Sequence, residues 1–209
     1  MTKNPLPLNE AEAHARRLAM ALYGGADAFK QVQIAGSIRR MKPLVGDIEL
    51  VGEVDPEREF GATARITQVL HEIGVHRATP TIRTDGVEVK APWGDRYMKG
   101  EWEAEAGRVV QIDLFIVRPP ADWGVVFLIR TGSADFSHAV VTRLHRYGLR
   151  AQDAQIVDMA KSDGGKRGEH PRVPCPDEET FFKLAHLPWI PPEQRNMEDP
   201  ATAALFQGE

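Results

Sequence analysis

Apolar and polar positions alternate most clearly in two segments, and each is predicted to be a β-strand. Residues 47–54 read DIELVGEV and residues 109–117 read VVQIDLFIV. Side chains of a strand point alternately to its two faces, so Ile112 and Asp113 are expected on opposite sides. The second segment is the strongest strand signal in the chain because it is almost wholly apolar and rich in β-branched residues.

Apolar residues spaced three and four positions apart predict amphipathic helices between and after these strands. The first helix is expected to begin at Asn9, a candidate N-cap, with Glu12 completing a capping box. Further helices are predicted at 60–73, after Asp122, after Thr131-Gly132-Ser133 and at 178–184. A strand is predicted at 32–35 and a hairpin at 82–90. A loop is predicted at 158–176, and disorder is predicted in the last ten residues. Together they predict a mixed α/β (α+β) fold.

A pair of acidic residues shares one face of the first strand. Asp47 and Glu49 are two positions apart, so their side chains are expected to point the same way. Two carboxylates held this close repel each other unless a cation lies between them. Their hard oxygen atoms suit Mg²⁺ or Mn²⁺. Such a pair is more often a solvated polar face, so it does not by itself indicate a metal site.

A small-residue turn precedes this pair by about ten residues. Gly36-Ser37 interrupts a short apolar run, and a short helix through Arg39 and Met41 is expected after it. The hydroxyl of Ser37 and the first backbone N–H groups of that helix could bind an anion. A phosphate beside a metal is the arrangement that phosphoryl transfer needs.

Asp113 is a single acid within an otherwise apolar strand. Burying a lone carboxylate is costly unless it has a partner or a metal. A salt-bridged or edge-facing Asp is the ordinary explanation. If this strand lies beside the first one, however, a third carboxylate joins Asp47 and Glu49. The sequence therefore favours a site of three acids on neighbouring strands.

Bulk composition narrows the class of protein. The chain has 209 residues, 42% of them hydrophobic and 27% charged, and a formal net charge of −4, so any basic surface must be local. A single cysteine excludes an internal disulfide and fits a reducing compartment. No apolar run of membrane-spanning length appears, so we expect no membrane association and a cytoplasmic location. Pro119-Pro120 predicts a boundary between domains at 1–119 and 120–209.

These motifs resemble the nucleotidyltransferase superfamily, and within it the family X DNA polymerases, the group that includes DNA polymerase β. The likeness extends from about residue 30 to the C-terminal region. The segments that carry it are Gly36-Ser37-Ile38-Arg39-Arg40, Gly46-Asp47-Ile48-Glu49, Ile112-Asp113-Leu114, Thr131-Gly132-Ser133 and Leu187-Pro188-Trp189-Ile190-Pro191-Pro192. The resemblance implies a palm sheet flanked by helices at 1–119 and a small C-terminal lobe at 120–209 that binds the nucleotide and base pair.

The resemblance also implies roles for individual residues. Asp47, Glu49 and Asp113 would be the catalytic carboxylates and would bind two Mg²⁺ or Mn²⁺ ions. Arg39 would be a structural arginine that assists lobe closure. The residues expected to bind the nucleotide are Gly36, Ser37, Arg40, Gly46, Arg130, Thr131, Gly132, Ser133 and Ser137.

The chain departs from the family pattern at several places. Glu49 replaces the usual Asp, and Ile129-Arg130 replaces the Tyr-Phe pair that precedes Thr-Gly-Ser. Ser137 stands where the family often has an Asn that contacts the base. We expect no lyase domain or helix-hairpin-helix region before the palm. The resemblance therefore implies a reduced polymerase, bacterial or phage-encoded, that could need a protein partner to grip DNA.

The function implied is transfer of a nucleotide from a dNTP or NTP to a primer 3′-hydroxyl, with release of pyrophosphate, in repair or phage DNA metabolism. Primer/template or gapped DNA would be the partner. Weak contacts with it are expected from a local basic patch, comprising Arg143, Arg146, Lys161, Lys166 and Arg167. Two alternatives remain open, namely an RNA, protein or small-molecule acceptor, which the acidic net charge slightly favours, and a non-catalytic module that binds DNA ends.

Overall fold

The computed structural model describes residues 5–104, 107–161 and 170–207. The chain divides into two units, Met1–Arg118 and Pro119–Glu209, and the division falls beside the Pro119-Pro120 pair. Each unit has a hydrophobic core of its own, with no core residue in common. Within the described ranges, no helix has both the length and the apolar character needed to cross a membrane.

The first unit is built on a five-stranded mixed sheet. Its elements are β1 (Leu6–Pro7), α1 (Leu8–Gly25), β2 (Phe29–Ile34), α2 (Gly36–Arg39), β3 (Leu44–Val45), β4 (Asp47–Val54), α3 (Ala62–Glu72), β5 (Val75–Arg77), β6 (Thr81–Ile82), β7 (Glu88–Val89), β8 (Tyr97–Ala104) and β9 (Arg108–Val117). The strand order is β2-β4-β9-β8-β5, in which only β4 and β9 run parallel. Two small antiparallel pairs, β1–β3 and β6–β7, complete the unit.

One face of this sheet carries the core of the first unit. The alternate residues Ile48, Leu50, Ile112 and Leu114 are buried there. Helices α1 and α3 contribute their apolar stripes to the same core. Because side chains alternate along a strand, the residues between these apolar positions point to the opposite face. That opposite face carries the acidic residues.

The second unit combines helices with a small antiparallel sheet. Its elements are α4 (Trp123–Thr131), α5 (Ala134–Arg143), β10 (Leu149–Gln152), β11 (Gln155–Asp158), β12 (Arg172–Val173), α6 (Glu178–Leu184) and α7 (Pro200–Ala204). Strand β11 lies between β10 and β12. Buried residues of α4, α5 and α6 form the core together with Ile156 and Cys175.

The structure confirms the mixed α/β class and most of the predicted elements. Strand β4 and helix α6 have the bounds that the sequence predicts, and β9 begins one residue earlier than expected. The hairpin at 82–90 is the β6–β7 pair, with Gly86 in a left-handed conformation at its turn. Helix α3 begins at Ala62 rather than Phe60, because Gly61 occupies the N-cap with a φ of +70°.

The predicted capping box of α1 is wrong, and Asp122 lies at the N-cap position of α4 without capping it through its side chain. Helix α1 begins at Leu8 after Pro7, so Asn9 lies inside its first turn and does not cap it. Asp122 occupies the N-cap position of α4, but its side chain accepts no bond from the helix. That carboxylate instead accepts a hydrogen bond from Arg172. A distant cation has therefore displaced the local capping interaction.

Two segments expected to lack regular structure contain elements. Part of the predicted loop at 158–176 pairs as β12, and β11 extends to Asp158. Within the predicted disordered tail, α7 begins after Asp199, which accepts a hydrogen bond from the backbone N–H of Thr202. Neither segment has a strong local pattern, so tertiary pairing decides its structure.

Candidate functional site

Parallel pairing of β4 and β9 places the three predicted acids on one face of the sheet. Glu49 lies opposite Asp113, and Asp47 lies opposite Gln111. Residues paired across a ladder point to the same face, and neighbouring strands are about 4.8 Å apart. Asp47 and Glu49 share that face because they are two positions apart. The neighbouring-strand arrangement expected from the sequence is therefore present.

Gly36 fits closely against the Glu49 side chain. It has a φ of +60°, a conformation that side-chain-bearing residues rarely adopt. A Cβ atom added to Gly36 would overlap the Glu49 carboxylate. The preceding residue, Ala35, donates its backbone N–H to the Glu49 carbonyl at 2.9 Å. Glycine is thus required here both for the turn and for the space that Glu49 occupies.

Ser37 and Arg40 follow this glycine in and just after α2. The Ser37 Oγ atom is buried and has no hydrogen-bond partner among the described residues. Burial lowers the pKa of the Arg40 guanidinium, and this exceeds the opposing effect of the nearby Glu49 and Asp47 carboxylates. Arg40 therefore lies in the electric field of both acids. A phosphate group would satisfy the buried hydroxyl and the guanidinium together.

Two other predicted residues flank this group. Arg39 is the last residue of α2 and is half-buried. Gly46 is an exposed residue in the bend between β3 and β4, directly before Asp47. Their positions leave the structural role of Arg39 and the nucleotide contact of Gly46 as predictions.

Asp113 is held by two neutral side chains. It is 7% exposed. The Tyr97 hydroxyl donates to its Oδ1 at 2.6 Å, and the Gln111 amide donates to its Oδ2 at 2.8 Å. Each donor offsets part of the cost of burying the charge. The partner that a buried Asp requires is therefore supplied by the protein itself.

The donor set suits a hard cation, but the acids do not converge in this structure. Across residues 5–104, 107–161 and 170–207, no three His, Cys, Asp or Glu side chains form a group that could hold a metal. The Glu49 carboxylate lies against Gly36, on the β2 side of β4. Asp113 is bonded to Tyr97 of β8, on the opposite side of β9. Among the described residues, Asp113 is therefore not grouped with Asp47 and Glu49 in a site that could hold a metal.

The predicted Thr-Gly-Ser turn lies in the second unit and joins α4 to α5. Ser133 caps α5 by accepting a hydrogen bond from the Phe136 N–H, and its own N–H donates to the Arg195 carbonyl at 3.0 Å. Thr131 is fully buried. A Cβ atom on Gly132 would crowd the side chain of Phe136. The turn is therefore firmly positioned.

The remaining predicted residues of the second unit differ in accessibility. Ser137 is buried, and its hydroxyl donates to the Ile129 carbonyl at 2.9 Å. Arg130 is exposed at the end of α4. Its side chain is thus accessible to a ligand, whereas the Ser137 hydroxyl serves the packing of α4 against α5. Their contacts with sugar and base stay predictions.

Sequence reasoning missed Tyr97 and Gln111. Gln111 is two positions before Asp113, and this spacing alone indicated a shared face. Tyr97 carried no comparable signal, because its contact with Asp113 depends on the antiparallel pairing of β8 with β9.

Comparisons with known proteins agree with this architecture. The family described as DNA polymerase beta thumb matches residues 126–196, which lie within the second unit. No curated protein matches the sequence. A crystal structure of Leishmania infantum polymerase beta, described as a ternary P/T complex, is similar with a TM-score of 0.70 and 17% identity. The match covers 92% of this chain and 77% of that chain.

The structural match shows the fold, and the family match identifies the C-terminal segment. Both agree with the resemblance inferred from the motifs in the sequence. The chain has the fold of polymerase β, and residues 126–196 in its second unit match the polymerase β thumb family.

Proposed function

We propose that the chain is a metal-dependent nucleotidyltransferase that extends a DNA primer. A primer 3′-hydroxyl would attack the α-phosphate of a nucleoside triphosphate, and pyrophosphate would leave. The observation that carries this proposal is the in-register placement of Glu49 and Asp113, with Asp47 on the same face. A cation held between three acids on one face of two adjacent strands would offset their mutual repulsion.

Ser37 and Arg40 are the residues suited to bind the triphosphate. The buried Ser37 hydroxyl has no partner among the described residues, and a phosphate oxygen that accepts its hydrogen bond would recover the free energy lost. Arg40 would neutralise phosphate charge, and its proximity to Asp47 and Glu49 brings that phosphate close to the acids. The acids and the phosphate-binding residues thus belong to one site.

Asp47, Glu49 and Asp113 would hold two Mg²⁺ or Mn²⁺ ions. When bound, these ions would favour ionisation of the attacking hydroxyl and offset charge on the leaving phosphates. The protein's own part is to orient the carboxylates. Glu49 has the longer side chain, so it can fold back from Gly36 toward Asp113 without a shift of the backbone.

DNA binding is proposed for the second unit, on the basis of its thumb match. The basic patch expected there is smaller than its sequence indicated. Arg143 donates to the carbonyls of Ala185 and Leu205, and Lys161 pairs with Asp158 at 3.0 Å. The patch residues Lys166 and Arg167 lie outside the described residues. Arg143 and Lys161 thus already have partners within the unit, which favours weak, salt-sensitive binding.

The experiment that tests the proposal is extension of a labelled primer, with and without template, a gap, Mg²⁺ and Mn²⁺. Asp47→Asn and Asp113→Asn should each abolish extension without unfolding the chain. Glu53→Gln is the matched control and should leave extension unchanged. Glu53 is on the same face of β4 as Asp47 and Glu49, but it lies near the other end of the strand, where it accepts a hydrogen bond from Gln31. Extension that survives Asp113→Asn would contradict the assignment.

A non-catalytic module that binds DNA ends is the second candidate. It is favoured by the lack, among the described residues, of a group of three acids that could hold a metal. Such a module would bind gapped DNA with equal affinity in the wild type and in Asp113→Asn, and neither protein would extend a primer. The same assays therefore distinguish the two candidates.

A further inference from the structure

Tyr97 contacts Asp113, the single acid of an otherwise apolar strand. Its hydroxyl lies 2.6 Å from Asp113 Oδ1. The tyrosine is on β8 and the acid is on β9, so the bond links two strands of the sheet. The bond ties Asp113 to β8, whereas the other two acids are on β4.

The phenol ring of Tyr97 is fixed in place by packing. It stacks on Phe115 with ring centroids 4.8 Å apart and an angle of 5° between the planes. Tyr97 and Phe115 are also direct neighbours in the β8–β9 ladder. A ring held by both backbone pairing and stacking has little freedom to follow Asp113 if that side chain rotates.

Gln111 closes the other side of the same carboxylate. Its amide donates to Asp113 Oδ2 at 2.8 Å. Both oxygens of a carboxylate that is 7% exposed therefore accept hydrogen bonds from neutral donors. This arrangement satisfies the acid without any cation, so the chain can fold before an ion is bound.

Moving Asp113 to an ion shared with Glu49 costs free energy, because Asp113 already accepts hydrogen bonds from Tyr97 and Gln111. The two residues are opposite each other in the β4–β9 register, but Glu49 lies against Gly36 on the far side. Asp113 must turn toward β4, and the Tyr97 hydroxyl then loses this acceptor. Because the bond is partly buried, its loss is only partly compensated by water and opposes that movement.

We propose that Tyr97 is a positioning residue that keeps Asp113 out of a joint metal site with Asp47 and Glu49 until a divalent cation is bound. This inference rests on the proposed function, because it assumes that Asp113 is a metal ligand. Tyr97 thereby weakens ion binding to the free chain. The three acids assemble only when an ion compensates for the lost hydrogen bond.

The test is Mn²⁺ binding to the full chain without nucleotide or DNA, measured by electron paramagnetic resonance of the free ion. Tyr97→Phe removes one hydroxyl and keeps the ring that stacks on Phe115. It should bind Mn²⁺ about 2- to 10-fold more tightly than the wild type, the range expected for one neutral hydrogen bond. Tyr23→Phe is the matched control, since this exposed tyrosine of α1 should leave affinity unchanged.

Asp113→Asn separates failure of this inference from failure of the proposed function. If the wild type binds Mn²⁺ more tightly than Asp113→Asn, while Tyr97→Phe binds no more tightly than the wild type, Tyr97 does not restrain Asp113. If Asp113→Asn and the wild type bind equally, Asp113 is not a ligand, and both ideas are overturned.

A second variant covers the case in which Tyr97→Phe fails to fold. Gln111→Met keeps the length of the side chain and removes the donor to Oδ2. It should also tighten Mn²⁺ binding, because Asp113 is then released from its other restraint. Unchanged or weaker binding in Gln111→Met would overturn the inference.

Discussion

Replacing Gly36 by alanine should destabilise the chain through two separable effects. The first is backbone strain, because alanine at a φ of +60° costs about 1–2 kcal/mol. The second is steric, because the new Cβ would overlap the Glu49 carboxylate and would lie 3.0 Å from the Glu49 Cβ. Overpacking of this kind costs about 1–3 kcal/mol. The sum is a loss of about 2–5 kcal/mol in the free energy of unfolding.

Two other glycines of the same unit allow each effect to be measured alone. Gly86 has a φ of +81°, and no atom lies within 4 Å of the position that a Cβ would occupy, so Gly86→Ala reports backbone strain only. At Gly52 the φ is ordinary, but a Cβ would crowd the Phe29 ring, so Gly52→Ala reports steric overlap only. Urea unfolding curves of all three variants should show Gly36→Ala as the most destabilised.

The double variant Gly36→Ala/Glu49→Asp tests whether Glu49 is the source of the steric effect. Shortening Glu49 by one methylene should recover part of the loss, so the two changes should be non-additive. Primer extension by Gly36→Ala should also fall, because Glu49 is displaced even in molecules that remain folded. The reasoning is refuted if Gly36→Ala loses no more stability than Gly86→Ala and Glu49→Asp restores nothing.

Three further predictions concern the second unit. Arg195→Met breaks a buried ion pair with Glu178 and should lower the free energy of unfolding, measured by thermal unfolding, by about 3–5 kcal/mol. Lys183→Met breaks the exposed ion pair with Glu179 and should change that free energy little. Burial, with smaller effects of Asp122 and Asp177, raises the pKa of the Cys175 thiol to about 12, so this thiol should resist a thiol reagent until the chain unfolds. The stability of the chain should also fall as pH rises above about 9, because the unfolded chain loses its thiol proton at a lower pH than the folded chain. The resemblance implies that the exposed Arg130 lies beside the sugar, so Arg130→Phe, which removes its donors, should raise the ratio of kcat/KM for dNTP over rNTP. An unchanged ratio would exclude Arg130 from sugar selection.

The sequence alone determined the features that depend on local periodicity. Alternation in DIELVGEV defined β4 and placed Asp47 and Glu49 on one face, because side chains of a strand repeat every two residues whatever its neighbours are. Helix α6 was equally predictable, since Asp177 accepts a bond from the Thr180 N–H at its start and an apolar stripe follows. Fold class and most of the candidate residues followed from such patterns and from the motifs they carry.

Only the tertiary structure decided how these local elements combine. The parallel register that sets Glu49 opposite Asp113 joins residues far apart in sequence, and no local pattern specifies it. The capture of Asp113 by Tyr97 depends in turn on β8 pairing with β9. The acids were therefore predictable as a set, but the Tyr97 partner of Asp113 was not, because it comes from a strand whose pairing no local pattern specifies.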